Sequence, residues 1–161
     1  MIAVHYIQFE YTNMTQYPPQ KDKRLVWQLL NYWQDCRGDR DFPALSEIDS
    51  VAISHLWPHC FVLDTRAAPN FPYFQYLGPE LAKYSGVLLS GQTDWNQTLL
   101  DKAVGQFNDS IQKRLPVLVE DEMTLFDGAK LLFRSVILPL SDDQDQINYL
   151  LGGANGKIAE D

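Results

Sequence analysis

Between Leu25 and Cys36 the apolar residues Leu25, Val26, Leu29, Tyr32, Trp33 and Cys36 recur at three- and four-residue spacing. That period predicts a helix with one face laid on something apolar. Asp22 is placed to be its N-cap and Gly38 its stop. From Arg37 to Trp57 the anchors Ile48, Ile53 and Leu56 predict one or two short helical turns, with Asp49 capping the second. The pattern then turns to strand character at Cys60–Asp64 and again at Tyr73–Leu77. The aromatic run from Phe74 breaks at Gly78-Pro79, where Pro79 suits the first turn of a helix. Leu81, Tyr84 and Leu88 continue at helical spacing, with Gly86 interrupting and Gly91 closing the unit. A connector, Gln92–Asn96, leads into a longer predicted helix over about 97–114, with Val104, Phe107, Ile111 and Leu115 inward and Pro116 as its end. Runs at 117–125, 131–138 and 147–154 predict three closing strands, joined by a hairpin turn at Asp127-Gly128 and an acidic turn at Ser141–Asp145.

The resulting order is helix, two strands, helices, three strands. It predicts an α+β fold: a five-stranded antiparallel sheet with helices over one face, and the N-terminal amphipathic helix free to cover the other. Residues 1–21 read as an appendage to a single domain over 22–161. Within the appendage Ile2, Val4 and Tyr6 alternate like a short strand, either a loose arm or an edge strand added to a partner. Along 131–138, Phe133, Ser135 and Ile137 share the face assigned to the helix-covered side, while Leu132, Arg134, Val136 and Leu138 share the other. A small-molecule pocket would then be lined by Phe74, Tyr76, Tyr84, Phe107, Ile111, Phe133 and Ile137, with Ser135 orienting a polar ligand atom. Plain core packing is the competing role for each of these. Leu25, Val26, Leu29 and Trp33 carry two compatible readings, core packing and an interface shared with a second copy.

Composition narrows the function classes. A chain of 161 residues that is 45% hydrophobic and 12% aromatic is the size and character of one folded domain. A net charge of -8 without any Lys/Arg cluster argues against nucleic acid as a partner. Cys36 and Cys60 form no bridge framework and read as reduced thiols of a cytoplasmic protein; no secretory signal or membrane-length apolar run is visible. His55, His59 and Cys60 are loosely metal-like, but Trp57-Pro58 between them disfavours one helical face, and no metal is predicted. Asp142, Asp143 and Asp145 read as a solvated turn, and Glu120-Asp121-Glu122 as a charged strand edge. Dinucleotide and P-loop signatures are absent. Tyr76 and Tyr84 would suit a small isomerase or hydrolase, yet no acid can be set beside them, so catalysis is not expected.

The strand-to-helix unit Gly78-Pro79-Glu80-Leu81 through Gly86 and Gly91 resembles that of a PAS domain. More narrowly, the chain resembles the alphaproteobacterial PAS_5 family. The resemblance rests on Tyr32-Trp33, Arg37-Gly38-Asp39-Arg40 with Pro43, Ile48-Asp49, Leu56-Trp57-Pro58-His59 and Leu138-Pro139-Leu140-Ser141, and covers about Leu25 to Gly153. Leu45, Gln75 and Pro79 depart from the family's usual residues. The resemblance implies a stand-alone cytoplasmic sensory or regulatory module that binds a small molecule or a protein partner. Since no output domain fits in the remaining length, signalling is expected to pass to another protein in trans, with a homodimer possible through the first helix. Haem is disfavoured because residues 97–115 hold no histidine, and a photoactive flavin because both cysteines precede the Gly78 turn. No cofactor is predicted. A cone-like α+β enzyme and a ligand-free scaffold are the alternatives.

Overall fold

All five residues of Cys60–Asp64 are buried, as a strand must be when both of its faces are covered. The computed structural model describes residues 2–7, 24–68, 72–89 and 97–159, and this strand, β2, lies inside its sheet. The remaining strands are β1 (Ile2–Tyr6), β3 (Tyr73–Leu77), β4 (Val117–Thr124), β5 (Lys130–Leu140) and β6 (Tyr149–Ile158). They form one antiparallel six-stranded sheet in the order β1-β4-β5-β6-β2-β3. The sheet thus has one strand more than the five expected. The addition is β1, which pairs with β4 of its own chain through Ile2↔Asp121 to Tyr6↔Val117. Glu120 and Asp121 therefore do not sit on a sheet edge, while Glu122 lies one residue beyond the described β1 pairing. Glu120 faces Arg134 at 3.5 Å, and Asp121 accepts an ion pair from Lys102 at 3.2 Å.

One face of the sheet carries α1 (Leu25–Arg37). Its Leu25, Val26, Leu29, Leu30 and Trp33 are buried and cluster with Cys60 and Val62 of β2, Val136 and Leu138 of β5 and Leu151 of β6. The Trp33 Nε1–H donates to the Pro139 carbonyl at 2.8 Å, which satisfies the one polar atom of a ring that is 2% exposed. Leu25, Val26, Leu29 and Trp33, the candidate dimer contacts, are thus placed in the core of the single chain, under its own sheet. Gly38 ends the helix as expected, its N–H reaching Gln34 O. The Asp22 cap falls outside the described residues, as do Gly91 and the Gln92–Asn96 connector.

The opposite face carries α2 (Pro79–Ala82), α3 (Leu99–Val104) and α4 (Phe107–Lys113). The long helix expected over 97–114 is broken at Gly105-Gln106, where a poor helix former interrupts two separately started segments. Thr98 starts α3 with a reciprocal cap: its Oγ1 accepts from the Asp101 N–H at 3.1 Å, and the Asp101 carboxylate accepts from the Thr98 N–H at 2.9 Å. Phe133 and Ile137 face this side, together with Phe61, Leu63, Leu81, Leu99 and Leu150, so the expected alternation along β5 holds.

Gly78 fixes how α2 leaves the sheet. Its N–H donates to Cys60 O at 2.8 Å, and a Cβ added there would lie 2.3 Å from Pro58 O and 2.8 Å from Cys60 O. Only a residue without a side chain lets the strand-to-helix turn press on the start of β2. Because the obstacle is backbone, it cannot rotate aside. Gly78→Ala is expected to destabilise the protein by about 3 kcal/mol in urea unfolding with an unchanged m-value; a loss below about 1 kcal/mol would mean that this contact is not tight.

Candidate functional site

The space between the sheet and α2–α4, where the pocket residues were expected to converge, is occupied by side chains. Phe61 and Leu150 are 0% exposed and Phe133 and Ile137 1%. The Phe61 ring lies where a Cβ on Gly152 would sit, 2.1 Å from that position. Tyr84, Phe107 and Ile111 pack on the rim of this cluster. The Tyr84 hydroxyl meets the Gly156 backbone, and burial pushes its pKa up. Ser135 is buried on β5 between Phe133 and Ile137, paired across the ladder with Val119 and Ala154.

Two of the expected lining residues part company. The β2–β3 ladder pairs Val62 with Tyr76 and Leu63 with Phe74, so Gln75 is extra and β3 bulges. The bulge reverses the alternation. Phe74 makes an edge-on contact with Phe61 at 6.2 Å on the α2–α4 side. Tyr76 turns to the α1 side, stacks on Trp57 at 4.2 Å and donates its O–H to Trp57 O at 3.0 Å. Tyr76 therefore lines no space in common with Phe133 or Ile137. The pocket assignment fails at that residue because simple alternation does not survive a bulge.

An open cleft of about 530 Å³ lies instead beside the C-terminal end of α4, lined by Thr65, Arg66, Ile111, Arg114, Asp145 and the segment Gln146-Ile147-Asn148. Ile111 is the one pocket candidate it includes. Each element positions its group for a local reason. Arg66 follows the end of β2 and folds back on Asp64: its Nε and Nη2 donate to the two carboxylate oxygens at 3.1 and 2.8 Å, and the Arg66 N–H adds a third bond at 3.0 Å. The Tyr73 O–H donates to the same carboxylate at 2.8 Å. Asp64 is 1% exposed, and the Arg66 guanidinium, followed by the Arg66 N–H and the Tyr73 hydroxyl, holds its carboxyl well below the usual carboxylate range. Across the cleft, Arg114 caps α4 in the left-handed conformation at φ 58°. Its guanidinium donates to the carbonyls of Gln144 and Asp145 and lies over the Phe42 ring at 5.0 Å. Asp143 holds that turn, accepting from the Asp145 and Gln146 N–H groups at 2.9 Å.

Arg66, Arg114, Asp64 and Tyr73 escaped the sequence reading. The available signals were an acid and an arginine two apart at a strand end, and an arginine where a helix C-cap usually takes glycine. Among the described residues, no group of three His, Cys, Asp or Glu side chains is placed to hold a metal ion, and no helix is long and apolar enough to cross a membrane. His55 Nε2 lies 3.0 Å from Gln28 Oε1.

The antiparallel sheet, the Gly78-Pro79 strand-to-helix turn and the short helices over one face define a PAS-type domain. The chain belongs to the PAS_5 family of PAS domains, which it matches over residues 22–154. Families of this kind are in general sensory or regulatory modules. No curated protein and no solved structure matches the chain significantly.

The Asp64 cluster has a pH signature. Its native pKa is depressed, so its contribution to stability is complete above the ordinary carboxylate range and is lost as pH falls through the native value. Asp64→Asn is expected to cost about 2 kcal/mol near neutral pH, and the gap to the parent protein in urea titrations should close on acidification below about pH 4. A gap that does not vary with pH would mean that the ion pair contributes nothing.

Proposed function

We propose that the chain is a non-enzymatic, cytoplasmic sensory and regulatory PAS module that takes a small molecule in the cleft beside α4 and signals to a protein partner in trans. The observation that carries this reading is a contrast of space. The interior under α2–α4 is filled by Phe61, Phe133, Ile137 and Leu150, whereas the cleft at its rim offers about 530 Å³, within the usual range for small-molecule sites. Family membership supports the regulatory role. The cleft also combines apolar walls, Ile111 and Ile147, with a few fixed polar groups, the composition such sites share.

The test is a metabolite panel screened by thermal shift, with the binders mapped by amide chemical shifts. Perturbations are expected at Thr65, Ile111 and Ile147, and Ile147→Trp, which fills the cleft, should abolish them while leaving the protein folded. Perturbations centred on Phe133 and Ile137, or no binder in the panel, would overturn the assignment of the cleft.

A further inference from the structure

We propose that the ligand of this cleft is a small organic anion, a carboxylate or phosphate monoester with an apolar body, its charged head held between the guanidinium groups of Arg66 and Arg114. This rests on the cleft being the binding site, and adds the chemistry of what it binds. The chain carries a net charge of -8, yet two of its arginines line one cleft. Both are fixed from behind. The Arg66 fork is locked on buried Asp64 and lies over the Tyr149 ring at 4.9 Å. Arg114 is anchored on two backbone carbonyls and the Phe42 ring. Side chains already ordered lose little entropy when they hold a ligand, and the bonds above do not use Nη1 of Arg66 or Nε of Arg114, donors that suit carboxylate or phosphate oxygens.

Among the side chains that line the cleft, two guanidinium groups stand against one carboxylate. Among the described residues the hydrogen bonds of Arg114 go to the neutral carbonyls of Gln144 and Asp145. Asp64 offsets Arg66 from a buried position beneath it, and Asp145 is the one carboxylate among the lining residues. Arg114 also accepts an unfavourable backbone. A non-glycine residue at positive φ is disfavoured, and here that conformation accompanies a guanidinium placed on the Gln144-Asp145 turn. Ile111 and Ile147 supply the surface for the apolar body.

The probes are benzoate, phenyl phosphate and neutral benzamide, titrated into the full chain by calorimetry and amide chemical shifts. One or both anions are expected to bind at least about tenfold more tightly than benzamide, as for a charge-assisted fork, and their ranking separates carboxylate from phosphate as the source of the head group. Arg114→Gln should weaken the anion by about tenfold or more. Arg66→Lys, which keeps a cation beside Asp64 and so preserves the fold, should weaken it several-fold. Lys113→Gln removes the same charge from an exposed neighbour and should change binding by less than about twofold. Benzamide binding as tightly as the anions, with shifts at Ile111 and Ile147, would overturn the anion while leaving the cleft as the site. Equal losses in Arg114→Gln and Lys113→Gln would reduce the effect to bulk charge and overturn it too, as would the absence of any shift at the cleft with either anion.

Discussion

Burial of β2 and of the first half of β6 on both faces is the constraint from which the architecture follows. Cys60–Asp64 and Tyr149–Ala154 contain no exposed position, so neither face of the sheet's centre can be left to water. An antiparallel sheet often leaves one face solvated; this one cannot. α1 covers one face with Leu25, Val26, Leu29, Leu30 and Trp33, and the short helices α2–α4 cover the other with Leu81, Leu99 and Ala103. At roughly 25 cal/mol per Å² of apolar surface, stripping α1 from the sheet would expose several fully buried large side chains at once. The helix is therefore part of the core, and a role for its apolar stripe between two copies would compete with the fold itself.

Where the period was regular, the sequence was legible. The α1 stripe, the strand-to-helix turn at Gly78-Pro79 and the alternation of Phe133 and Ile137 against Val136 and Leu138 each follow from spacing alone, because the burial that enforces them is local to one element. What was not legible depends on partners distant in sequence. Nothing in Ile2–Tyr6 says that it lies beside Val117–Asp121, since an edge strand with mixed residues specifies its neighbour weakly. The extra residue at Gln75 is visible only in the pairing with Val62 and Leu63, and it was enough to send Tyr76 to the other face from Phe74. The break at Gly105-Gln106 has a glycine as its signal, set within the inward series Val104, Phe107 and Ile111 that predicts an unbroken helix.

The cleft was hidden for a related reason. Its lining comes from the end of β2, the end of α4 and the β5–β6 connection, segments with no shared periodicity to bring them together on paper. The polar groups that shape it are ordered by contacts across nine to thirty-one residues: Tyr73 to Asp64, Arg114 to Gln144 and Asp145. Bonds of this kind, whether between side chains or from side chain to backbone, leave almost no mark on composition.

The cleft is also where the two cores meet. Arg66 lies over Tyr149 and Arg114 over Phe42, and both rings belong to the α1-side cluster. Ile111 packs against the α2–α4 side, and Ile147 packs against both clusters. Arg114 further borders a smaller cavity of about 180 Å³ shared with Trp33, Arg37 and Phe42. A ligand seated between the two guanidinium groups would therefore rest, through them, on aromatic rings seated against α1 and, through Ile111, on the helices of the opposite layer. Coupling between distant surfaces needs a contiguous set of packed groups that both can bias. In this fold the cleft borders packed groups of both clusters, and a close-packed interior is of the kind that carries strain rather than absorbing it.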